Sequence, residues 1–81
     1  MASKTQKIAV VGNRDAILPF QMIGFQTFPV AEAQETINTL RHLSQEDFGI
    51  IYLTEDMAAD IPDTIAHYDR QVTPAVILIP T

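Results

Sequence analysis

Cysteine is absent from the 81 residues of this sequence. Its absence excludes disulfide bonds, thiolate metal sites and catalysis by a thiol, and it fits a reducing compartment. Long apolar runs are absent too, since no segment approaches the ~20 residues that a membrane-spanning helix requires. The polar residues 1–7 contain no apolar core of the kind that a signal peptide carries. We therefore expect a cytoplasmic protein that does not insert into the membrane.

Basic residues are few: 5 Lys and Arg stand against 10 Asp and Glu, which gives a formal net charge of −5. The phosphate backbone of a nucleic acid would be repelled, and no cluster of Lys or Arg provides a local exception. We therefore expect no nucleic-acid partner. A chain with 47% hydrophobic and 19% charged residues has the composition of a globular protein. We expect one domain over residues 1–81, with residues 1–6 extended or disordered.

Four short apolar segments alternate with helical patterns along the chain. The segments KIAVVG at 7–12 and FGIIYL at 48–53 indicate strands that are buried on both faces. The shorter segment at 25–30 contains Pro29, which suits a sheet edge, and PAVILIP at 74–80 is the last strand. Strands that alternate with helices pair in parallel through right-handed crossovers. The predicted fold class is therefore α/β, a flavodoxin-like or Rossmann-like three-layer fold whose four-stranded parallel sheet has the order 2-1-3-4.

Helical segments connect these strands. Asp15 is predicted to cap the first helix, over 16–23, and Pro19 is predicted to fall near its first turn. Phe20 and Met22 are predicted to pack into the core. The other helical segments are a short turn capped by Thr54 and helices over 31–43 and from about Asp60 to Arg70.

The predicted topology leaves one sheet face without a helix over the last two strands. The uncovered side chains are one alternate set from 50–53 and one from 76–79. Burying each such side chain stabilises the fold by about 1.5–3 kcal/mol. Four left in water would forfeit roughly 6–12 kcal/mol, comparable to a small domain's whole stability of about 5–15 kcal/mol. We therefore expect a cover, which is a C-terminal helix beyond Thr81, a partner protein or a second copy of this chain.

Patterns that carry catalysis or bind cofactors are not found in the sequence. Gly12 stands alone after the first strand, whereas the dinucleotide fingerprint requires three glycines, and the P-loop pattern is absent. A phosphoacceptor receiver needs an Asp at the end of the third strand, where residues 53–55 read Leu-Thr-Glu. His42 and His67 each lie on a predicted helix surface, outside any HExxH or G-x-S-x-G pattern. The prediction is no catalytic, cofactor-binding or metal-binding residue.

Several stretches together are similar to one family. They are KIAVVGNRD at 7–15, MIGF at 22–25, YLTEDMAADIP at 52–62 and TPAVILIP at 73–80. In their order and spacing they resemble the F subunit of the V-type (A/V-type) ATPases, particularly bacterial forms. The resemblance implies a non-catalytic subunit of the central rotor stalk that binds the coiled-coil D subunit. It also implies coupling of ATP hydrolysis or synthesis to proton or sodium transport, in a complex that holds this subunit at the periphery of the membrane.

Two departures from the family pattern stand out. Asn13 takes the place of an acid that is common in the turn after the first strand. Family members usually continue past the last strand into a C-terminal helix, whereas this sequence ends at Thr81. This difference matches the uncovered sheet face, so we interpret the sequence as a shortened form.

The expected partners are the D subunit and the rest of the V-type ATPase, with self-association of the shortened chain as a further expectation. No cofactor is expected. The candidate contact residues lie on the last strand, and which of its faces meets the partner stays open: Val76, Ile77, Leu78 and Ile79. The alternative function is a small-ligand or nucleotide-binding regulatory module that uses the turns at 13–15 and 54–55.

Overall fold

The computed structural model describes residues 7–81, so the prediction for residues 1–6 lies outside the described residues. The elements in chain order are β1 (Lys7–Gly12), α1 (Arg14–Met22), β2 (Gln26–Pro29), α2 (Ala33–Ser44), β3 (Phe48–Thr54), α3 (Glu55–Ala59), α4 (Pro62–Asp69) and β4 (Ala75–Ile79). All strand pairs are parallel and the sheet order is β2-β1-β3-β4. The predicted α/β fold and strand order are confirmed. Within 7–81, no helix has the length and apolar character needed to cross a bilayer.

The main core lies between the sheet and helices α2, α3 and α4. Its buried members are Ala9, Val11, Val30, Leu40, Leu43, Phe48, Ile51, Leu53, Ala58, Ile61 and Tyr68. Phe28 adds an edge-to-face contact with Phe48, with 5.8 Å between ring centroids. Val10 and Ile17 are also buried but lie outside this cluster, where α1 packs on β1 and β2. Because successive side chains of the central strands point to opposite faces, they contribute to two cores, one on each face of the sheet.

Helix α1 begins earlier than the sequence predicts, because Asn13 is its N-cap. The backbone N–H of Ala16 donates to Asn13 Oδ1 at 3.0 Å, immediately after β1 ends. The prediction that Asp15 caps this helix is wrong. Asp15 lies in the first turn, where a carboxylate still suits the helix dipole. Pro19 lies inside the helix rather than near its first turn.

The end of α1 corrects a second prediction. Phe20 is half-buried and packs edge-on against Phe25, with 6.0 Å between ring centroids. Met22 is 79% exposed, so its predicted place in the core is wrong. Five residues beyond the buried Ile17, Met22 lies about 140° around the helix and turns away from the sheet. The chain then reverses at Gly24, whose φ of 101° favours glycine.

The starts of α3 and α4 also differ from the predictions. Thr54 precedes α3 as predicted, but its hydroxyl makes no capping hydrogen bond within the described chain. The backbone N–H of Met57 instead donates to Asp56 Oδ1 at 2.9 Å. Helix α4 begins after Ile61 with Pro62 in its first turn, two residues later than the predicted start at about Asp60.

The sheet face beside α1 is less exposed than the topology alone suggests. Ile50, Tyr52 and Ile79 are half-buried, and Ile77 is 43% exposed. Neighbours in register shield one another, since Tyr52 lies between Val10 on β1 and Ile77 on β4. The exposed apolar surface on this face is therefore smaller than the expected four fully exposed side chains, and what remains lies at the edge strand.

Candidate interaction surface

The carboxyl edge of the sheet is where ligands of open α/β folds usually bind. Gly12 closes β1 directly against Thr54 at the end of β3. A Cβ on Gly12 would lie 2.6 Å from Thr54 Oγ1 and 3.0 Å from Thr54 Cβ, and would collide with Thr54 Cγ2. Glycine at this position therefore makes room for a side chain of its own domain, which leaves no cradle for a phosphate.

The polar groups at this edge bind one another. Asn13 Nδ2 donates to Asp56 Oδ2 at 3.0 Å, which joins the turn after β1 to the start of α3. The Thr54 side chain lowers the pKa of Asp56, against the opposing effect of burial and with help from the Asn13 amide and the Met57 N–H. Thr54 Oγ1 itself is buried and makes no well-formed hydrogen bond with any group in residues 7–81. The carboxylate is thus ionised and held by donors of its own chain.

A cavity of about 380 Å³ lies beside these groups and includes Asn13, Arg14 and Glu35 in its lining. Glu35 is already the acceptor of the N–H groups of Ala31 and Glu32 at 2.9 and 3.2 Å. Of the turn residues considered for a nucleotide, Asn13 is therefore already used, because it caps α1 and binds Asp56. This geometry gives the ligand-binding alternative no support.

The two histidines lie on separate helices. His42 and His67 are both exposed on helix surfaces, as predicted. His67 Nε2 is 3.1 Å from Gln71 Nε2, and its ring packs edge-on against Tyr68. A cavity of about 400 Å³ between α2 and α4 contains His67 and Arg41, each in the last turn of its helix. Among residues 7–81, no group of three His, Asp or Glu side chains could hold a metal ion.

Strand β4 carries the candidate contact residues and forms an edge of the sheet, paired to β3 alone among the described strands. Ile77 and Leu78 are 43% and 42% exposed, whereas Val76 and Ile79 are half-buried. Successive strand residues point to opposite faces. Val76 packs against the main core, so Leu78 shares the α4 face, and Ile77 and Ile79 share the α1 face. The strand therefore presents one exposed apolar side chain on each face.

On the α4 face, Leu78 forms one wall of a shallow groove of about 390 Å³, which we call the β4–α4 groove. Its lining residues are Glu55, Ala58, Ala59, Pro62, Ile65, Ala66, Asp69 and Leu78. Six of these eight are apolar and three are alanine, and the two others are acids. Leu78 was predicted from the sequence but the other lining residues were not, because the groove exists only once α3 and α4 pack against the strand.

Comparison with known proteins identifies the family. The family model for the ATP synthase (F/14-kDa) subunit matches residues 8–81. The chain belongs to the ATP synthase F-subunit family. The V-type ATP synthase F subunit of Fusobacterium nucleatum is 45% identical over 75 residues, which cover 93% of this chain and 71% of that relative. The F subunit of Clostridium perfringens is also 45% identical, over 94% of this chain and 72% of its own length.

Archaeal relatives extend the F-subunit family beyond bacteria. The A-type ATP synthase F subunit of Methanococcus aeolicus is 36% identical over 66 residues, which cover 79% of this chain and 67% of the relative. The crystal structure of the V-type ATP synthase F subunit from Archaeoglobus fulgidus superposes with a TM-score of 0.80 at 19% identity, covering 94% of this chain and 99% of that one. The second likeness shows the shared fold. The family resemblance predicted from the sequence is confirmed.

Proposed function

We propose that this F-subunit chain is a non-catalytic component of the central rotor stalk of a V-type ATP synthase. There it binds the coiled-coil D subunit and helps to couple ATP hydrolysis or synthesis to proton or sodium transport. It lies in the cytoplasm, at the periphery of the membrane, through its place in the complex. The observation that carries the proposal is an exposed apolar edge strand in a chain of this family.

Two features of the molecule support β4 as the contact. Ile77 and Leu78 are adjacent and together expose apolar surface on both faces of the sheet edge. Burying such a side chain against a partner is worth about 1.5–3 kcal/mol relative to leaving it in water. The polar groups at the carboxyl edge of the sheet already bind one another. We propose that β4 contacts the partner through an exposed side chain, Leu78 on one face or Ile77 on the other, and that the half-buried Val76 and Ile79 hold this strand in place.

Binding to the cognate D subunit tests this function. The purified chain is expected to form a stable one-to-one complex with the D subunit in size-exclusion chromatography and calorimetry. An Ile77→Asn/Leu78→Asn double variant is expected to lose most of this affinity. Leu18→Asn is the control, because Leu18 is 46% exposed but lies on α1.

Three outcomes would contradict the proposal. The first is failure of the folded chain to bind the D subunit at any accessible concentration. The second is saturable micromolar binding of ATP or ADP, which would favour the small-ligand module. The third is ATP hydrolysis by the purified chain alone. Sedimentation of the chain by itself, in the same buffer, measures whether it associates with a second copy.

A further inference from the structure

We infer that the β4–α4 groove receives one α-helix of the partner, whose apolar stripe is flanked by Lys and Arg. The inference rests on the proposed function, because the helix is taken to belong to the coiled-coil D subunit. It selects the α4 face of β4 as the contact and assigns the α1 face no direct role.

The shape of the groove suits a helix. Ala58, Ala59 and Ala66 line it, and such short side chains let another backbone approach closely. Leu78 and Ile65 supply larger apolar walls. An amphipathic helix inserts side chains at spacings of three and four residues into a groove of this kind. A volume of about 390 Å³ accommodates a few apolar side chains rather than a whole helix, so the helix lies across the opening.

The charge around the groove specifies the flanks of that helix. The segment from Glu55 to Asp69 contains five acids and no Lys or Arg, although Arg70 follows it. These five carboxylates are exposed and form no ion pair within the described part of the chain: Glu55, Asp56, Asp60, Asp63 and Asp69. Glu55 and Asp69 stand in the lining of the groove itself. Asp56 is instead bonded to Asn13, and Asp63 lines the cavity between α2 and α4. The two acids beside the apolar floor of the groove favour a partner with basic residues beside its apolar stripe, and they steer the encounter.

Among residues 7–81, helix α1 gives the opposite face no comparable excess of acidic charge. Helix α1 carries one base and one acid, Arg14 and Asp15, which are adjacent at its start. The exposed Ile77 on that face therefore has apolar surface without a charged rim. Apolar exposure alone favours neither face of β4, whereas charge complementarity favours the α4 face.

A matched pair of variants on adjacent residues tests the choice of face. Leu78→Asn and Ile77→Asn remove apolar side chains of almost equal exposure, 42% and 43%, on opposite faces of one strand. Leu78→Asn is expected to weaken binding to the D subunit by roughly tenfold or more, as truncation of a central contact does. Ile77→Asn is expected to stay within about threefold of the unchanged chain. Circular dichroism and thermal melting of each variant establish that it is folded.

A second pair tests the acidic charge beside the groove. Glu55→Lys and Asp15→Lys make the same charge change in the first turn of a helix, so the loss of favourable helix-dipole interaction is matched. Glu55→Lys is expected to slow association with the D subunit and to flatten its salt dependence, and Asp15→Lys is expected to do neither. Ala66→Arg provides a further variant, because Ala66 is exposed and an arginine there fills the groove without disturbing the core. It is expected to weaken binding as Leu78→Asn does.

The outcomes separate the inference from the function on which it rests. If Ile77→Asn abolishes binding and Leu78→Asn and Ala66→Arg do not, the groove is refuted and the stalk function stands. Equal effects of Glu55→Lys and Asp15→Lys refute the basic flanks of the partner helix. If the unchanged chain fails to bind the D subunit, the proposed function fails and the groove inference fails with it.

Discussion

The tight packing between Gly12 and Thr54 gives a direct test of how the carboxyl edge is built. Replacing Gly12 with alanine places a Cβ 2.6 Å from Thr54 Oγ1 and 3.0 Å from Thr54 Cβ. Overpacking of this kind costs about 1–3 kcal/mol. Backbone strain does not add to that cost, because Gly12 has no positive φ; in the described chain the glycine with positive φ is Gly24. At a compatible position, alanine instead gains about 0.4–1 kcal/mol by restricting the unfolded chain.

The expected result for Gly12→Ala is therefore a net loss of roughly 0–2.5 kcal/mol, with the collision dominating. Urea denaturation measures it as a lower midpoint at an unchanged slope. Thr54→Ala removes Cγ2 and Oγ1 and leaves only the Cβ contact of 3.0 Å, so Gly12→Ala should cost much less in that background. A double-mutant cycle isolates this coupling, which we expect to exceed about 1 kcal/mol. Equal effects of Gly12→Ala in both backgrounds would refute the reasoning, because the collision would then have another source.

Two further perturbations test the local structure around this edge. Asn13→Ala removes the cap of α1 and the bond to Asp56, and should cost about 0.5–2 kcal/mol of unfolding free energy in urea. Since folding lowers the pKa of Asp56, its contribution is complete above about pH 3.9 and lost as pH falls below that value. Asn13→Ala should reduce this acid-side loss in urea titrations between about pH 2 and 6, and an unchanged pH profile would contradict the contact. Gly24→Ala should cost about 1 kcal/mol or more in the same assay, because its Cβ meets open space and only the φ of 101° opposes it.

The strands and their order were predictable because the apolar segments are short, separate and joined by helical patterns. KIAVVG and FGIIYL are apolar at almost every position, which indicates strands covered on both faces. Pro29 correctly indicated an edge, since β2 lies at one end of the sheet. Such features depend on the local sequence and on the handedness of crossovers, and neither requires knowledge of side-chain contacts.

The helix starts were harder to predict because several polar residues there can act as caps. Asn13 and Asp15 are both good N-cap residues, and the choice depends on where β1 releases the chain. Thr54, the last residue of β3, is also a good N-cap residue, yet its side chain packs against Gly12. Met22 was misplaced because it is the last residue of α1 and lies about 140° around that helix from the buried Ile17, away from the sheet. These outcomes depend on tertiary packing, which a pattern of residue types does not specify.

The candidate surface was only partly predictable, because it too depends on tertiary packing. The sequence indicated β4 but left its two faces equivalent, because alternation along a uniformly apolar strand gives no preference. The difference arises from helices α3 and α4, whose alanines and acids surround only one face of that strand. The acidic segment from Glu55 to Asp69 was visible in the sequence as a charge bias without a location.

The placement of polar and apolar groups also distinguishes the carboxyl edge of this open α/β fold from its side. In such folds the carboxyl ends of the strands usually form an open crevice. Here Thr54 fills the space over Gly12, and Asn13 binds Asp56 across the gap, so the strands that usually bind ligands are cross-linked instead. The apolar surface left over lies to the side of that edge, on β4. A short sheet closed at its carboxyl end and open at its side is suited to hold a neighbouring protein, because the contact does not compete with the interactions that fix the strands.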